Sequence, residues 1–213
     1  MGFAVLHLDK AHGSDSKMSD HIERKTTPKN ADPTRTHLNR ELIEFPGGVT
    51  NRNEAISYRL KSAGLTRKIG TNQVRAIRFI LSGSPKDMKQ IEQASKLDEW
   101  CRDSVEWMKR TYGSENVVSA VLHMDEETPH IHATLIPIVQ TERRKKKSEK
   151  LVKKNYRKKP SGAARLSAND IMTRHKLKAY QDGYALAMAK YGLKRGIVGS
   201  EARHTTTAQY YRD

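Results

Sequence analysis

Residues 116–138 read NVVSAVLHMDEETPHIHATLIPI, in which two apolar runs are joined by a short polar segment. Residues 116–123 and 130–138 are rich in branched apolar side chains, which is typical of buried strands, and the MDEETP between them indicates a turn. The two strands are therefore predicted to pair as a hairpin. On a strand, alternate side chains point to the same face, so His130 and His132 share a face, and the hairpin brings His123 beside them.

Three imidazoles that converge on one face can hold a divalent cation and leave coordination positions open for a substrate. Asp125 and Glu126 are predicted to lie at the hairpin tip, where a carboxylate can orient an imidazole N–H or act as a general base. The alternative is a polar hairpin with solvated histidines. A zinc-protease helix fits less well, because HExxH is absent and Pro129 directly precedes His130.

The rest of the chain supplies further strands and several helices. FAVLHLDK and VRAIRFILSGS indicate two more strands, at 3–10 and 74–84. Helices are predicted over a short segment that includes His21 and Arg24, over 51–64, from Pro85 to about Tyr112, and from the 167–170 cap to Gly192. This order predicts an α+β fold in which an antiparallel sheet carries helices packed mainly on one face.

Composition favours a polyanionic partner in a reducing compartment. Forty Lys and Arg face 24 Asp and Glu, which gives a formal charge of +16, and phosphate backbones are the commonest partner of such a surface. Cys101 is the single cysteine, so no disulfide can form within the chain. The N-terminal residues lack the features of a signal peptide, and we expect a cytoplasmic protein.

A basic segment at about 141–160 follows the predicted metal strand. Its composition predicts a flexible, solvated segment, and its position favours phosphate contacts that do not distinguish bases. The predicted DNA-binding residues are Arg40, Arg143, Arg144, Lys145, Lys146, Lys147, Lys153, Lys154, Arg157, Lys158 and Lys159. Further basic residues are expected to extend the positive surface, namely Arg35, Arg52, Arg67, Lys68, Arg75 and Arg78.

Four sequence motifs resemble those of the Mob/Pre (MobV) plasmid mobilisation relaxases, which belong to the HUH endonucleases. HMDEETPHIH, at 123–132, resembles the third motif of that family, and HIER, at 21–24, is similar to its first, HNxR. HLNREL, at 37–42, resembles the second motif, NY(D/E)L, and SEARH, at 200–204, is similar to a stretch that follows the long helix in such proteins. The resemblance covers essentially the whole chain, with the motifs in the same order.

The resemblance implies a bacterial, metal-dependent strand transferase that nicks one DNA strand at an origin of transfer and stays joined to the 5′ end. The metal expected is Mn²⁺ or Mg²⁺, held by the three hairpin histidines. The family's histidine nucleophile maps to His21, where a neutral imidazole can attack phosphorus. Arg24 is expected to stabilise charge on the phosphate oxygens, and Glu126 to keep His21 neutral and aligned, with Asp125 and Asn39 orienting the site.

Two departures from the family motifs leave alternatives open. Ile22 stands where the first motif usually has Asn, and Arg40 replaces the tyrosine of the second motif. Without the third motif, His21 would be interpreted as an exposed histidine on a helix. Asn39 can equally form an Asx turn instead of orienting the site. A replication initiator or transposase of the HUH type, with a tyrosine nucleophile, is a second interpretation. A nucleic-acid-binding module without catalysis is a third.

The whole chain, 1–213, is predicted to form a single relaxase domain that is the N-terminal part of a longer protein. The resemblance implies that such a protein works on single-stranded or hairpin DNA at the origin of transfer. It also implies accessory relaxosome or coupling proteins as partners.

Overall fold

The structure is a computed structural model that describes residues 2–11, 15–140, 162–197 and 199. Its main sheet has six strands, which are β1 (Gly2–Ala11), β2 (Arg40–Glu41), β3 (Ala76–Gly83), β4 (Val117–His123), β5 (His130–Leu135) and β8 (Leu193–Lys194). They lie in the order β2-β4-β5-β3-β1-β8. The pairs are antiparallel except for the parallel pair of β1 with β8.

The predicted hairpin is confirmed as the β4–β5 pair, but its second strand is shorter than predicted. β5 ends at Leu135, just before Pro137, which has no N–H to donate to the sheet. The chain then forms β6 (Ile138–Val139), which pairs with β7 (Arg165–Leu166) in a separate two-stranded ladder. The carbonyl of Asn116 accepts a hydrogen bond from the backbone N–H of Ile136 across this corner.

Six α-helices lie within the described residues. They are α1 (Ser16–Ile22), α2 (Arg52–Ser62), α3 (Pro85–Gln93), α4 (Leu97–Tyr112), α5 (Ala168–Ile171) and α6 (Arg174–Met188). Short 3-10 turns span Pro33–Leu38, Ser114–Asn116 and Ala189–Tyr191. In the part of the chain that the structure describes, no helix has both the length and the apolar character needed to cross a bilayer.

The single helix predicted from Pro85 to Tyr112 is wrong, because the chain forms α3 and α4 with a break between them. Ser95 takes a left-handed φ of 57°, and the backbone N–H of Lys96 bonds to the carbonyl of Ile91, as at a helix C-terminus. The apolar spacing explains the break. Ile91 and Leu97 are six residues apart, about 120° away from a shared face on one straight helix, yet both are buried.

The long helix predicted from the 167–170 cap is also two helices. α5 is a single turn that ends at Ile171, and α6 begins after Thr173. The Thr173 hydroxyl accepts a hydrogen bond from the backbone of Lys176, which satisfies one of the free N–H groups of the first turn. The cap therefore comes from Thr173 and not from the predicted segment.

The sheet separates two layers of different size. On one face, alternate residues of β3 and β5, including Phe79, Leu81 and Ile131, pack against Trp100 of α4 and Tyr184 of α6, and all of them are almost completely buried. This larger core carries most of the helical layer, as predicted. The opposite face holds α1, α2 and a smaller apolar cluster. Because β5 alternates, His130, His132 and Thr134 point to that second face.

Candidate metal centre and active site

The β4–β5 hairpin brings together the three predicted ligands. His123 pairs directly with His130 across the hairpin, and His132 pairs with Val121 on the same two strands. The ring centroids are 5.2 Å apart for His123 and His130, 4.7 Å for His123 and His132, and 4.9 Å for His130 and His132. The imidazoles therefore converge on one point of the sheet face, as the alternation predicted.

The hydrogen bonds of the histidines leave ring nitrogens free to bind a cation. His123 Nε2 lies 2.9 Å from the carbonyl of Ile22 and His130 Nδ1 lies 2.9 Å from that of Thr128. A carbonyl oxygen only accepts, so both of these nitrogens carry the hydrogen and the other nitrogen of each ring presents a lone pair. The free nitrogen of His123, Nδ1, is buried and has no hydrogen-bond partner among the described residues.

The lone pair of the second ring, at His130 Nε2, faces another imidazole. His130 Nε2 lies 3.1 Å from His132 Nε2. Burial first, and then repulsion from neighbouring imidazoles, lowers the pKa of His132 well below its usual value, and burial also lowers the pKa of His130. Neutral rings with aimed lone pairs are the form in which histidine binds a metal, so the residues fit a divalent cation.

Two overlapping groups of side chains have ligand atoms within 4.8 Å of one another. One group is His21, His123 and His132, and the other is His123, Glu126 and His130. His123 belongs to both. The three predicted ligands are thus divided between two groups, and the structure adds Glu126 and His21 to the set of potential ligands.

His21 lies on α1, directly above the hairpin. Its ring centroid is 6.0 Å from that of His123 and 5.4 Å from that of His132. Burial, followed by the positive charge of Arg24, lowers its pKa to about 4, whereas the Glu126 carboxylate acts in the opposite direction. Glu126 therefore does not keep His21 neutral as expected. A carboxylate stabilises the protonated ring and so raises its pKa.

Arg24 holds the hairpin tip instead of projecting into an open site. It lies beyond the end of α1 with a left-handed φ of 52°, so the prediction of a helix that includes both His21 and Arg24 is wrong for Arg24. Its guanidinium donates to both carboxylate oxygens of Asp125, at 2.8 and 2.7 Å, and to Glu126 Oε1 at 2.6 Å. Arg24 Nη1 donates to the carbonyl of His21 at 3.0 Å. With 6% of its side chain exposed, Arg24 is better placed to position His21 than to meet a phosphate.

The carboxylates around Arg24 are held in the ionised state. Burial by itself would raise the pKa of Asp125, but the hydrogen bonds and the charge of Arg24 outweigh burial and hold that pKa well below its usual range. The Thr36 hydroxyl also donates to Asp125, at 3.1 Å. Glu126 accepts a further bond from Asn30 Nδ2, at 2.7 Å.

The loop of the second motif supports the hairpin from outside. Asn39 Oδ1 accepts a hydrogen bond from the backbone N–H of Met124 at 2.6 Å, and the N–H of Asp32 donates to the carbonyl of Asp125 at 2.7 Å. The side-chain oxygen of Asn39 thus bonds to the backbone next to His123, and its role in orienting the site stays a prediction.

The predicted DNA-binding residues are only partly described. Arg40 lies in β2, is half exposed and forms an ion pair with Asp98 of α4. The other predicted DNA-binding residues, between 143 and 159, lie outside the described residues, as does the 200–204 motif. Arg52 was expected to extend the positive surface and is instead completely buried.

Sequence reasoning missed the residues that fix α1 in place. Arg52 is buried beside the histidine centre and donates to the buried hydroxyls of Ser19 and Thr134. No motif contains Arg52. It lies in the first turn of a helix whose sequence is largely polar, so nothing indicated that its side chain is buried. Thr134 continues the alternation of His130 and His132, so its orientation toward this face was available from the strand pattern.

Comparison with known proteins agrees with the motifs. The model of the Mob/Pre family, described as a plasmid recombination enzyme, matches residues 1–212. The chain belongs to the Mob/Pre family.

Two similar proteins are much longer than this chain. The chain is 30% identical to a 65 kDa protein of Zymomonas mobilis over 212 residues, which cover 98% of the chain and 32% of that protein. It is 27% identical to a plasmid recombination enzyme of Bacillus thuringiensis, over 95% of the chain and 41% of that protein. The Mob/Pre chain thus spans about a third to two-fifths of the length of these relatives.

The fold matches that of a solved Mob/Pre domain. This is the MobM relaxase domain bound to origin-of-transfer DNA (oriT) of plasmid pMV158, in a Mn-bound crystal structure at pH 5.5. The match has a TM-score of 0.77 and 25% identity, and it covers 99% of this chain and 98% of that one. The predicted fold class is therefore confirmed, and the chain has the fold of a relaxase domain.

Proposed function

We propose that this chain is the nicking and strand-transfer domain of a plasmid mobilisation relaxase. It would cleave one strand of DNA at an origin of transfer and hold the 5′ phosphate as a covalent adduct of His21. The observation that carries this proposal is the placement of a neutral, half-buried imidazole within 6.0 Å, between ring centroids, of a cluster of histidines with free ring nitrogens. The likeness to MobM, whose solved domain is bound to oriT DNA and Mn, supports it.

The reaction is an exchange of one ester for one phosphoramidate. A lone-pair nitrogen of His21 attacks phosphorus, the N–P bond forms, and the bond from phosphorus to the 3′ oxygen breaks. The departing oxygen takes up a proton as a 3′ hydroxyl, and the phosphorylated ring releases its remaining N–H proton. Because the P–N bond conserves the free energy of the ester, the 3′ hydroxyl can attack it in reverse and reseal the strand.

The hairpin histidines would bind and orient the scissile phosphate. His123, His130 and His132 would hold a divalent cation, Mn²⁺ or Mg²⁺, with Glu126 as a further ligand. Such a cation polarises a phosphoryl oxygen and offsets the charge that develops on it. The backbone carbonyl of Ile22, at the end of α1, accepts a hydrogen bond from His123 Nε2. This bond links α1 to one of the imidazoles that would hold the cation. Arg24 holds the carbonyl of His21 and the hairpin tip in one unit.

The tyrosine alternative receives less support from the described residues. Tyr112, Tyr180 and Tyr184 contact one another or Trp107 in the helical layer, on the other face of the sheet from the histidines. Tyr191 bonds to Asp103 of α4. Tyr58 is exposed on α2. We therefore favour His21 as the nucleophile.

A plasmid-encoded relaxase would act where plasmid DNA is, in the bacterial cytoplasm. The basic segment at 141–160 would neutralise phosphates along the bound strand. Accessory relaxosome or coupling proteins would be the protein partners of the relaxase.

The decisive experiment is to identify the bond between protein and DNA. A single-stranded oligonucleotide that spans the cognate origin is incubated with the chain and Mn²⁺, and the adduct is tested in acid and mapped by mass spectrometry. We expect an acid-labile adduct on His21 that His21→Ala abolishes, whereas Tyr58→Phe leaves it unchanged.

Two other results would contradict the proposal. An acid-stable adduct on a tyrosine indicates the initiator or transposase mechanism. Tight binding of DNA and Mn²⁺ by the intact chain, without cleavage, indicates a binding module.

A further inference from the structure

Arg52 is a buried arginine of α2 whose donors reach β5, α1 and the residue that precedes α1. Its Nε donates to Thr134 Oγ1 of β5 at 2.7 Å, and Nη1 donates to Ser19 Oγ of α1 at 2.8 Å. Its Nη2 donates to Asp15 Oδ2, just before α1, at 2.6 Å. The side chain is 0% exposed. Arg52 therefore connects α2, α1 and the strand that carries His130 and His132.

Stability alone gives little reason to bury a guanidinium in this place. Desolvation of a buried ion pair offsets most of its attraction, and apolar residues of similar volume often serve stability as well or better. Hydrogen bonding by a planar guanidinium does, however, fix the relative position of its acceptors with high precision. The geometry of what Arg52 joins is therefore more informative than the energy of its bonds.

The two hydroxyls bound by Arg52 flank the reacting groups. Ser19 lies two residues before His21 on α1, and Thr134 lies two residues after His132 on the same face of β5. Two residues of helix correspond to a rotation of about 200°, so a fixed Ser19 sets the direction in which His21 points. Two residues of strand correspond to about 7 Å, so Thr134 is a fixed point next to the metal ligands.

Helix α1 depends on such external anchors. It has seven residues, and its N-cap, Asp15, makes no side-chain capping bond. A helix this short is marginal without tertiary contacts. Two contacts from the start of α2 supplement the side chain of Arg52: its backbone N–H donates to Glu23 Oε1 at 2.6 Å, and Asn53 Oδ1 accepts from Ser19 Oγ at 2.8 Å.

We propose that Arg52 is a positioning residue for strand transfer, which fixes the helix of His21 against the strand of His130 and His132. The inference rests on the proposed function. Arg52 itself does not touch the DNA or the metal. Its loss would let α1 rotate or shift, and a misplacement of about 1 Å at a reacting group costs on the order of 100-fold in rate.

The test separates the cleavage rate from folding and binding. The variants are Arg52→Lys, which keeps the charge but loses the planar fork, Thr134→Val, which keeps the shape but loses the acceptor, and Thr134→Ser, which keeps the acceptor. Cleavage is measured in single turnovers at saturating DNA and Mn²⁺, at a temperature where each variant is fully folded. We expect Arg52→Lys and Thr134→Val to lower the rate by about 10- to 100-fold and Thr134→Ser to restore it.

Binding of the oligonucleotide and of Mn²⁺ is expected to stay within about twofold in all three variants, because a misplaced reacting group slows the chemical step without changing ground-state binding. Arg59→Lys is the matched control on the same helix. Arg59 donates to Asn116 Oδ1 at 3.1 and 2.8 Å, away from the histidines. Its replacement should lower Tm without slowing cleavage.

The outcomes distinguish the inference from the proposed function. If the wild-type chain binds the oligonucleotide and Mn²⁺ but does not cleave the DNA, the proposed function is overturned and this inference with it. If the wild type cleaves, an Arg52→Lys variant that cleaves at the wild-type rate overturns the inference alone. A loss of rate that Arg59→Lys shares, or that follows weaker Mn²⁺ binding, also overturns it.

Discussion

Replacement of Arg24 by methionine is expected to lower the free energy of unfolding, because it breaks the ion pairs at the hairpin tip. Methionine keeps the unbranched apolar stem and removes four hydrogen bonds, two to Asp125, one to Glu126 and one to the carbonyl of His21. The side chain of Asp125 is 0% exposed and that of Glu126 is 15% exposed. Two carboxylates would thus remain almost out of contact with water, with no guanidinium beside them.

The magnitude follows from the burial of both partners. Loss of one partner of a buried ion pair costs about 3–5 kcal/mol in the free energy of unfolding, because the remaining charge is uncompensated. For a chain of this size each kcal/mol lowers Tm by roughly 2–4 °C, so Tm should fall by about 6–20 °C. An exposed pair such as Arg110 with Glu106, 3.7 Å apart and more than half exposed on both sides, serves as the control. Arg110→Met should change the free energy by no more than about 0.5 kcal/mol.

The assay is chemical denaturation at neutral pH in the presence of EDTA, so that metal binding does not add to stability. A double variant, Arg24→Met with Asp125→Asn, removes the more deeply buried of the two uncompensated charges and should recover at least about 1 kcal/mol of the loss. A stabilising role for these ion pairs is refuted if Arg24→Met lowers the free energy of unfolding by no more than Arg110→Met does. It is also refuted if the effects of Arg24→Met and Asp125→Asn simply add in the double variant.

Four further predictions concern other parts of the molecule. Mn²⁺ should raise the Tm of the wild type and leave that of His130→Ala unchanged in differential scanning fluorimetry, since only a fold that binds the ion gains stability from it; an equal shift in both would argue against the site. Phe79→Ala should cost about 3–5 kcal/mol in denaturant unfolding, because Phe79 is buried in the larger core, whereas Tyr58→Ala, on the exposed side of α2, should cost under about 1 kcal/mol. Asn39→Ala leaves the N–H of Met124 without its acceptor and should cost about 1–3 kcal/mol, a value that a fully solvated N–H would not reach. Neutral replacement of the basic residues at 143–147 should reduce the salt dependence of DNA binding by about 0.7 log units per log unit of salt for each phosphate that the variant no longer neutralises; an unchanged slope would show that this segment does not touch the strand.

The local parts of the fold could be predicted because their signals lie within short segments. The hairpin, the alternation of His130 and His132, and the pairing of His123 beside them need only the two-residue period of a strand and one turn. Even the break between α3 and α4, which the prediction missed, is visible in the six-residue interval from Ile91 to Leu97. The candidate metal centre was predictable for the same reason, since its three hairpin histidines lie within ten residues of sequence.

The ion pairs of Arg24 at the hairpin tip and the contacts that hold α1 in place depend on the tertiary structure. Arg24 and Asp125 are 101 residues apart, and Arg52 and Thr134 are 82 residues apart. Nothing in a helical period distinguishes an arginine that faces solvent, as Arg52 was expected to, from one that is buried against a strand formed later in the chain. The sequence indicated which side chains have the chemistry to bind a cation and, under the proposed function, to attack a phosphate. Folding determined how those groups are held together, because a buried charge acquires its role from partners that only long-range packing supplies.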